Sequence, residues 1–360
     1  MGHSGPLRVV AAMSGGVDSS VAAALLKEQG CDVIGVTLRM TARRGAEPAA
    51  GCPRCADPAA DAAKVALALG IPHQVVDVSD LFEERVISYF CREYSQGRTP
   101  NPCLVCNRFI KFGELVRIAR EMGASHVATG HYARTRYEPS SGRHLLLKGT
   151  DQRKDQSYVL YALQQDQLAT AIFPLGGMRK LEVRRKAAQI GLPVADKPDS
   201  QEICFIAHND YRGFLQERYP SIARPGPVVD ASGRVLGRHK GLAFYTVGQR
   251  KGLGLATGTP LYVLALDYAR NTLVVGNAPE TFRTSCIVSD PNFIPFPSLT
   301  GEMKIACKIR YRAEAAPAVI SPNPDSTVTV TFAAPQRAIT PGQAAVFYDG
   351  EVVVGGGFIR

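Results

Sequence analysis

The stretch Ser14-Gly15-Gly16-Val17-Asp18-Ser19-Ser20 constrains this chain more than any other. It follows a short β-branched apolar run, Leu7 to Ala12, and leads into an alanine- and leucine-rich segment, Ser19 to Gln29, that stops at Gly30. The order is strand, tight loop, helix and glycine stop. Two glycines let backbone come close to a phosphate, the serine hydroxyls add donors, and the helix start adds its positive end. Asp18 is suited to positioning a magnesium ion that bridges phosphate oxygens. The string matches neither GxxxxGK[ST] nor GxGxxG, which counts against standard P-loop NTPases and dinucleotide enzymes. A second apolar run at Val33 to Leu38, a second helix at Ala60 to Leu69 closed by Gly70, and a third strand at His73 to Val78 extend the pattern. Alternating strands and helices predict an α/β fold with a parallel sheet and ligands at the carboxyl ends of its strands.

A length of 360 residues calls for more than one domain. The α/β pattern occupies residues 1–210. From Tyr211 the helical periodicity fades, and short runs at Pro227 to Val229, Leu261 to Leu266 and Thr272 to Val275 predict a small β-rich domain over 211–277. Ile305 to Ile309, Thr327 to Phe332, Ala344 to Tyr348 and Glu351 to Val354, with Asp349-Gly350 as a hairpin turn, predict a closed β-barrel over 278–360. Arg43 to Ala50 reads as an exposed loop. The net charge of +10 suits a polyanionic partner, nucleic acid or acidic lipid, and equally suits plain solubility. With no secretory signal pattern and no apolar stretch near the roughly 20 residues that span a bilayer, the chain reads as cytoplasmic. Nine cysteines there are expected to be mostly reduced. Cys31, Cys91, Cys286 and Cys307 stand alone and read as buried or neutral structural thiols.

Gly97 to Lys111, GRTPNPCLVCNRFIK, reads as a rigid electropositive loop, because Pro100 and Pro102 oppose helix and Arg98, Arg108 and Lys111 surround Cys103 and Cys106. Positive neighbours favour the thiolate that a nucleophile needs, while the CxxC spacing equally suits a metal. A further cysteine, Cys204, lies in Asp199-Ser200-Gln201-Glu202-Ile203-Cys204-Phe205.

At its SGGxDSS loop the chain resembles the PP-loop ATP pyrophosphatases, which activate an oxygen as an adenylate and release pyrophosphate. The cysteine segments narrow the likeness. With Ala128-Thr129-Gly130-His131-Tyr132, Lys154-Asp155-Gln156-Ser157-Tyr158, Tyr245 to Gly252, Arg310-Tyr311-Arg312 and Thr340 to Gln343, the chain closely resembles the tRNA-specific 2-thiouridylases from about Val9 to Phe358. The resemblance implies an ATP-dependent enzyme, acting with magnesium, that thiolates the wobble uridine of tRNA through an O2-adenylate. It implies ATP contacts from Ala12, Met13, Ser14, Gly15, Gly16, Val17, Asp18, Ser19, Leu38 and Gly130. Cys204 is expected to carry a persulfide from a sulfur-relay protein or cysteine desulfurase. Cys106 then completes sulfur release and leaves a Cys106–Cys204 disulfide that a reductant must open. Asn101, Pro102 and Cys103 are expected at the target base, which must leave the anticodon stack to be reached. His131, Lys154, Asp155, Gln156, Arg310, Tyr311 and Gln343 are expected to touch the tRNA.

One position departs from the pattern. Some family members carry aspartate where Cys103 stands, and a thiol is the weaker acid, which puts that proton-transfer role in doubt. The substitution also opens two metal readings: a four-iron, four-sulfur cluster on Cys103, Cys106 and Cys204, or zinc on Cys52, Cys55, Cys103 and Cys106. Rival functions are another PP-loop synthetase or amidotransferase, which needs no paired thiols, and a zinc-containing RNA-binding protein, which leaves SGGVDSS without a task.

Overall fold

The computed structural model describes residues 5–41, 58–199, 203–206, 209–256 and 258–360. The Arg43 to Ala50 stretch and the Cys52/Cys55 pair lie outside them. Two compact units divide the chain: one comprises Met1–Val86, Cys103–Gln201 and Glu351–Val353, the other Ile87–Pro102, Glu202–Gly350 and Val354–Arg360.

The first unit is built on strands β1 (Arg8–Ala12), β2 (Asp32–Arg39), β3 (His73–Asp77) and β4 (His126–Ala128), with helices α1 (Val17–Glu28) and α2 (Pro58–Leu69). A hairpin of β5 (Ala133–Glu138) and β6 (Arg143–Lys148) follows, then the two-residue strand β7 (Ala171–Ile172). The order β3-β2-β1-β4-β7 is parallel throughout, with Val10 opposite Ile34 on one side and Val127 on the other. A central parallel strand covered on both faces is apolar along its length, and Val9, Val10 and Ala11 are accordingly buried. On one face Val9 and Ala11 pack against Ala23 and Leu26 of α1. Elsewhere in the unit, Val17, Val21 and Ala22 join Val65 of α2 and Val183 and Ala187 of the helix Lys180–Gln189. The parallel α/β expectation holds, and β1 points its carboxyl end at Met13 to Gly16.

In the second unit β8 (Gly226–Val229), β9 (Val235–His239), β10 (Tyr262–Asp267) and β11 (Thr272–Gly276) form a sheet in the order β10-β11-β8-β9 around Val228, Val263 and Leu273. The helical pattern persists here beyond its expected end. Tyr211–Arg218 is a helix because Asp210 caps it, accepting from the Gly213 amide at 2.9 Å, and Leu215 anchors it in the interior.

Strands β12 (Phe282–Phe293), β13 (Met303–Lys308), β14 (Ala316–Pro322), β15 (Val328–Arg337), β16 (Ala344–Asp349) and β17 (Val352–Ile359) run in the order β12-β15-β14-β13-β16-β17. Pairing of β12 with β17, Val288 opposite Ile359, closes the six strands into the expected barrel and removes both free edges. The closure needs glycine, since a Cβ on Gly357 would lie 2.4 Å from the Ser289 carbonyl oxygen. Ile320, Val330 and Phe347 fill the interior. Among the described residues no helix is long and apolar enough to cross a membrane.

Phe347 is fully buried and stacks on Phe293 with ring centroids 6.4 Å apart. Phe347→Ala is expected to cost the barrel about 3–5 kcal/mol, and Phe347→Leu clearly less. Urea unfolding followed through the barrel's own transition checks both.

Candidate active site

The loop between β1 and α1 is fastened from within. The Ser14 amide donates to Ser19 Oγ at 3.2 Å, while the Ser19 and Ser20 hydroxyls donate to the Gly16 carbonyl at 3.1 and 2.8 Å. Thr37 Oγ1 donates to the Met13 carbonyl at 2.8 Å and meets His73 Nε2 at 2.9 Å. Gly16 caps α1 without a side-chain hydrogen bond. The first-turn amides of this helix therefore lack a side-chain acceptor from the capping position, an arrangement suited to an anion. Gly15 takes φ +66°, and a Cβ there would lie 2.5 Å from the Pro58 carbonyl oxygen. Gly130, at the carboxyl end of β4, faces the same helix start: a Cβ on it would lie 2.7 Å from the Ser19 amide nitrogen and 2.8 Å from the Asp18 carbonyl carbon. Ala12 ends β1, Met13 and Val17 are buried, and Leu38 is half-buried near the end of β2.

Asp18, in the first turn of α1, is the hub of an ion network that sequence reasoning missed. Lys180 Nζ donates to Asp18 Oδ1 and Oδ2 at 2.7 and 2.8 Å, and Tyr132 OH donates to Asp18 Oδ1 at 2.7 Å. Burial, and then the charge of Asp18, push the Tyr132 phenol far above its ordinary range, so it stays a donor. Lys180 also reaches Asp199 Oδ1 at 2.8 Å. Asp199 further accepts from Lys154 Nζ at 2.7 Å and from the Arg184 guanidinium at 2.8 Å. Burial would raise the Asp199 carboxyl, but Lys154 and Lys180 outweigh it and hold the group at about 2. A second lysine, Lys197, bridges the Gly15 carbonyl at 2.9 Å and Asp61 at 2.8 Å. Nothing in the spacing of Asp18, Lys180 and Asp199 along the chain signals their meeting.

The segment expected at the tRNA is tied to this network. Gln156 exchanges two hydrogen bonds with Tyr132: its Oε1 accepts from the Tyr132 amide at 3.0 Å, and its own amide donates to the Tyr132 carbonyl at 2.9 Å. Asp155 accepts from the Gly149 and Ser157 amides at 2.9 and 3.1 Å. His131 is buried, its Nδ1 2.7 Å from Thr129 Oγ1 and its ring beside Phe112 and Phe173. Burial, with Lys111 adding to it, holds the imidazole neutral.

The cysteine segment departs from the loop expectation. From Pro102 the chain is helical through Pro102–Val105, Cys106–Glu114 and Leu115–Glu121, the middle stretch wound with π geometry. Proline is tolerated in a helix's first turn, where its missing N–H has no partner to lose, so Pro102 starts the helix. Gln167 Nε2 donates to the Arg108 and Phe112 carbonyls at 2.8 and 2.9 Å, satisfying backbone that the wide turn leaves over. Cys106 is buried at the start of that stretch. Cys103 is solvent-accessible, yet desolvation raises its thiol, with Lys111 opposing. Asn107, beside Cys106, donates to the Val159 carbonyl at 2.9 Å while its buried Oδ1 has no hydrogen-bond partner. In the second unit Cys204 is exposed, and the neighbouring Phe205 packs on Phe90 and Phe214. Among the four isolated cysteines, Cys91 and Cys307 are buried and Cys31 and Cys286 half-buried. Desolvation pushes the Cys286 thiol up to about 12 and the Cys307 thiol well above its ordinary range. Among the described residues no group of three or more His, Cys, Asp or Glu side chains is gathered to hold a metal.

Arg310 and Gln343 come together in the second unit, lining with Thr99, Thr246 and Gln249 a recess of about 420 Å³. Gln343 Nε2 donates to the Thr99 carbonyl at 2.7 Å, and Arg310 donates to the Arg337 carbonyl at 2.5 Å and to that of Ala338. Tyr311 lies under Lys308, 5.9 Å from ring centroid to ammonium.

Residues 7–208 match the family model described as a tRNA methyl transferase HUP domain, 212–277 a tRNA methyl transferase PRC-barrel domain and 283–359 an aminomethyltransferase beta-barrel domain. The tRNA-specific 2-thiouridylase MnmA of Heliobacterium modesticaldum is 56% identical over 353 residues, covering 98% of this chain and 92% of the relative. This chain belongs to the tRNA-specific 2-thiouridylase family. Thiouridylases of the same name from Caldanaerobacter subterraneus and Moorella thermoacetica are 52% and 51% identical, covering 98% and 97% of this chain and 98% of each relative. The family's domain models thus carry methyl transferase descriptions, whereas its full-length members are named for thiolation. In this 2-thiouridylase family member the Ser14 to Ser19 loop, Asp18 and Gly130 meet at the start of α1.

Two outcomes follow from this geometry. Gly130→Ala is expected to destabilise the first unit by about 1–3 kcal/mol, the usual cost of overpacking, through displacement of the α1 start; differential scanning calorimetry reads it. Asp199 has its folded-state carboxyl at about 2, below the ordinary 3.8, so the unfolded chain binds its proton first as pH falls. Its stabilisation is complete above pH of about 4 and is lost as pH drops through about 2. Urea midpoints taken across that window should fall more steeply for the unaltered chain than for Asp199→Asn, and equal slopes would remove the network from the account of acid stability.

Proposed function

We propose that this protein catalyses ATP-dependent 2-thiolation of the wobble uridine of tRNA, passing through an O2-adenylated uridine. The observation that carries the reading is the phosphate loop at α1, without a side-chain cap and with Asp18 in its first turn, in a chain related over its full length to named 2-thiouridylases. A loop without the Walker lysine suits the gripping of pyrophosphate better than phosphoryl transfer. Ser14 to Ser19 would hold the ATP phosphates, with Leu38 and Gly130 beside the nucleotide. Magnesium on Asp18 would neutralise charge between phosphate oxygens.

The chemistry balances with two thiols. Uridine O2 attacks the α-phosphorus of ATP, pyrophosphate leaves, and C2 becomes open to attack. Cys204, bearing a sulfane sulfur delivered by a persulfide-carrying partner protein, presents the terminal sulfur to C2, and the C2–O bond breaks with AMP as leaving group. Cys106 attacks the Cys204 sulfur, releasing 2-thiouridine and leaving the Cys106–Cys204 disulfide. A dithiol reductant supplies two electrons to restore both thiols. Asn101, Pro102 and Cys103 would meet the flipped base, and Arg310, Tyr311 and Gln343 the anticodon arm.

Anaerobic reconstitution of the full chain with tRNA, ATP and magnesium, fed in parallel by a protein persulfide and by inorganic sulfide, tests the reading. Thiolated nucleoside in the digested tRNA and stoichiometric pyrophosphate are expected with the persulfide. Cys204→Ser and Cys106→Ser should each lower thiolation at least 100-fold while tRNA-dependent pyrophosphate release persists. Thiolation by inorganic sulfide only in iron-loaded protein would replace the persulfide step with a cluster on Cys103, Cys106 and Cys204. Methylated rather than thiolated tRNA would overturn the reading altogether.

A further inference from the structure

The phosphate loop carries a negative side chain where it is expected to receive a polyanion. Asp18 sits in the first turn of α1, beside amides suited to phosphate, and its charge would repel ATP unless a cation cancelled it. The cation present is Lys180, a largely buried ammonium bound to both Asp18 oxygens at 2.7 and 2.8 Å. Lys180 is itself doubly committed, since Asp199 Oδ1 lies 2.8 Å away on its other side. That second carboxylate is held by Lys154 and Arg184. Tyr132 donates its phenol proton to Asp18 Oδ1 at 2.7 Å, and Gln156 clamps the Tyr132 backbone through a paired amide contact. Asp155 folds the same turn inward onto the Gly149 and Ser157 amides. The turn 154–156 therefore reaches Asp18 by two routes, one through Lys154, Asp199 and Lys180, the other through Gln156 and Tyr132.

We propose that Lys180, Tyr132 and the segment Lys154-Asp155-Gln156 are positioning residues of the nucleotide step, which neutralise and orient Asp18 so that ATP can seat on the loop. None of them needs to touch the nucleotide. The charges support a hand-over: a divalent cation arriving with ATP takes an Asp18 oxygen, and the ammonium of Lys180 remains paired with Asp199. Lys154 through Asp199, and Gln156 through the Tyr132 backbone, tie this turn to the Asp18 side of the unit. The inference rests on ATP being the ligand of this loop.

Equilibrium binding of ATP with magnesium, and of tRNA in separate titrations, to the full-length protein tests it. Binding of ATP by the unaltered chain tests the functional reading, and the variants relative to it test the inference. Lys180→Met should weaken ATP binding at least 10-fold, Gln156→Ala and Tyr132→Phe at least 3-fold, with tRNA affinity of Lys180→Met and Tyr132→Phe within 2-fold of the unaltered protein. In an Asp18→Asn background the loss caused by Lys180→Met should shrink below 3-fold, because no carboxylate remains to be neutralised. A general structural role would not produce that coupling. The same loss in both backgrounds, or weakened tRNA binding with unchanged ATP binding for Gln156→Ala, overturns the proposal. Circular dichroism monitors folding, and if Lys180→Met fails to fold, the Gln156→Ala and Tyr132→Phe arms decide it alone.

Discussion

A carboxylate in the first turn of a helix is favourable for the helix, because it answers the positive end of the backbone dipole. The same carboxylate is unfavourable for a phosphate site. Asp18 meets the first condition and, on the proposed reading of its loop, the second as well, and the Lys180 ammonium bound to it would reconcile them. Around that contact the first unit organises much of its polar interior: Tyr132 on Asp18, Asp199 on Lys180, Lys154 and Arg184 on Asp199. A half-buried network of this kind is stable only while every member has its partners, since a single unpaired charge there costs more than the pair contributes. The loop, the end of β4, the turn at residues 154–156 and the helix Lys180–Gln189 are consequently one polar assembly.

The apolar scaffold explains why such an assembly can form. A parallel sheet buried on both faces leaves its polar groups only at strand ends, and β1 and β4 deliver Met13 to Gly16 and Thr129 to Tyr132 at the same edge. Glycine at 130 is a steric requirement, because the backbone of α1 passes where a Cβ would stand. In the second unit the barrel solves a different problem. Six strands closed through β12 and β17 leave no edge to aggregate, and the recess lined by Arg310, Gln343 and Gln249 is fastened by side-chain contacts to main-chain carbonyls.

The helix that carries Cys103 and Cys106 shows how local rules compete. Two prolines in GRTPNPC argue for a loop, and up to Pro100 they hold. Beyond Pro102 the same residue type opens a helix, because its fixed φ suits the first turn. The π winding over Cys106–Glu114 depends on Gln167, far along the chain, to satisfy carbonyls that α geometry would have paired. No periodicity in the local sequence encodes it.

By itself the sequence determined the alternation of strands and helices in the first third, the SGGVDSS loop at the end of β1, the strand-rich character of the remainder, and the residues that mark family membership. These are local properties: apolar period, glycine and proline chemistry, and a contiguous string of phosphate-binding residue types. Only the tertiary structure decided what pairs with Asp18, that the turn at residues 154–156 is anchored inward, that His131 is buried and neutral, and that β12 and β17 are the strands whose pairing closes the barrel. Each of these depends on residues distant in sequence brought within hydrogen-bonding distance or into one apolar interior, and contact between them is a property of the packed sheet and helices rather than of spacing along the chain.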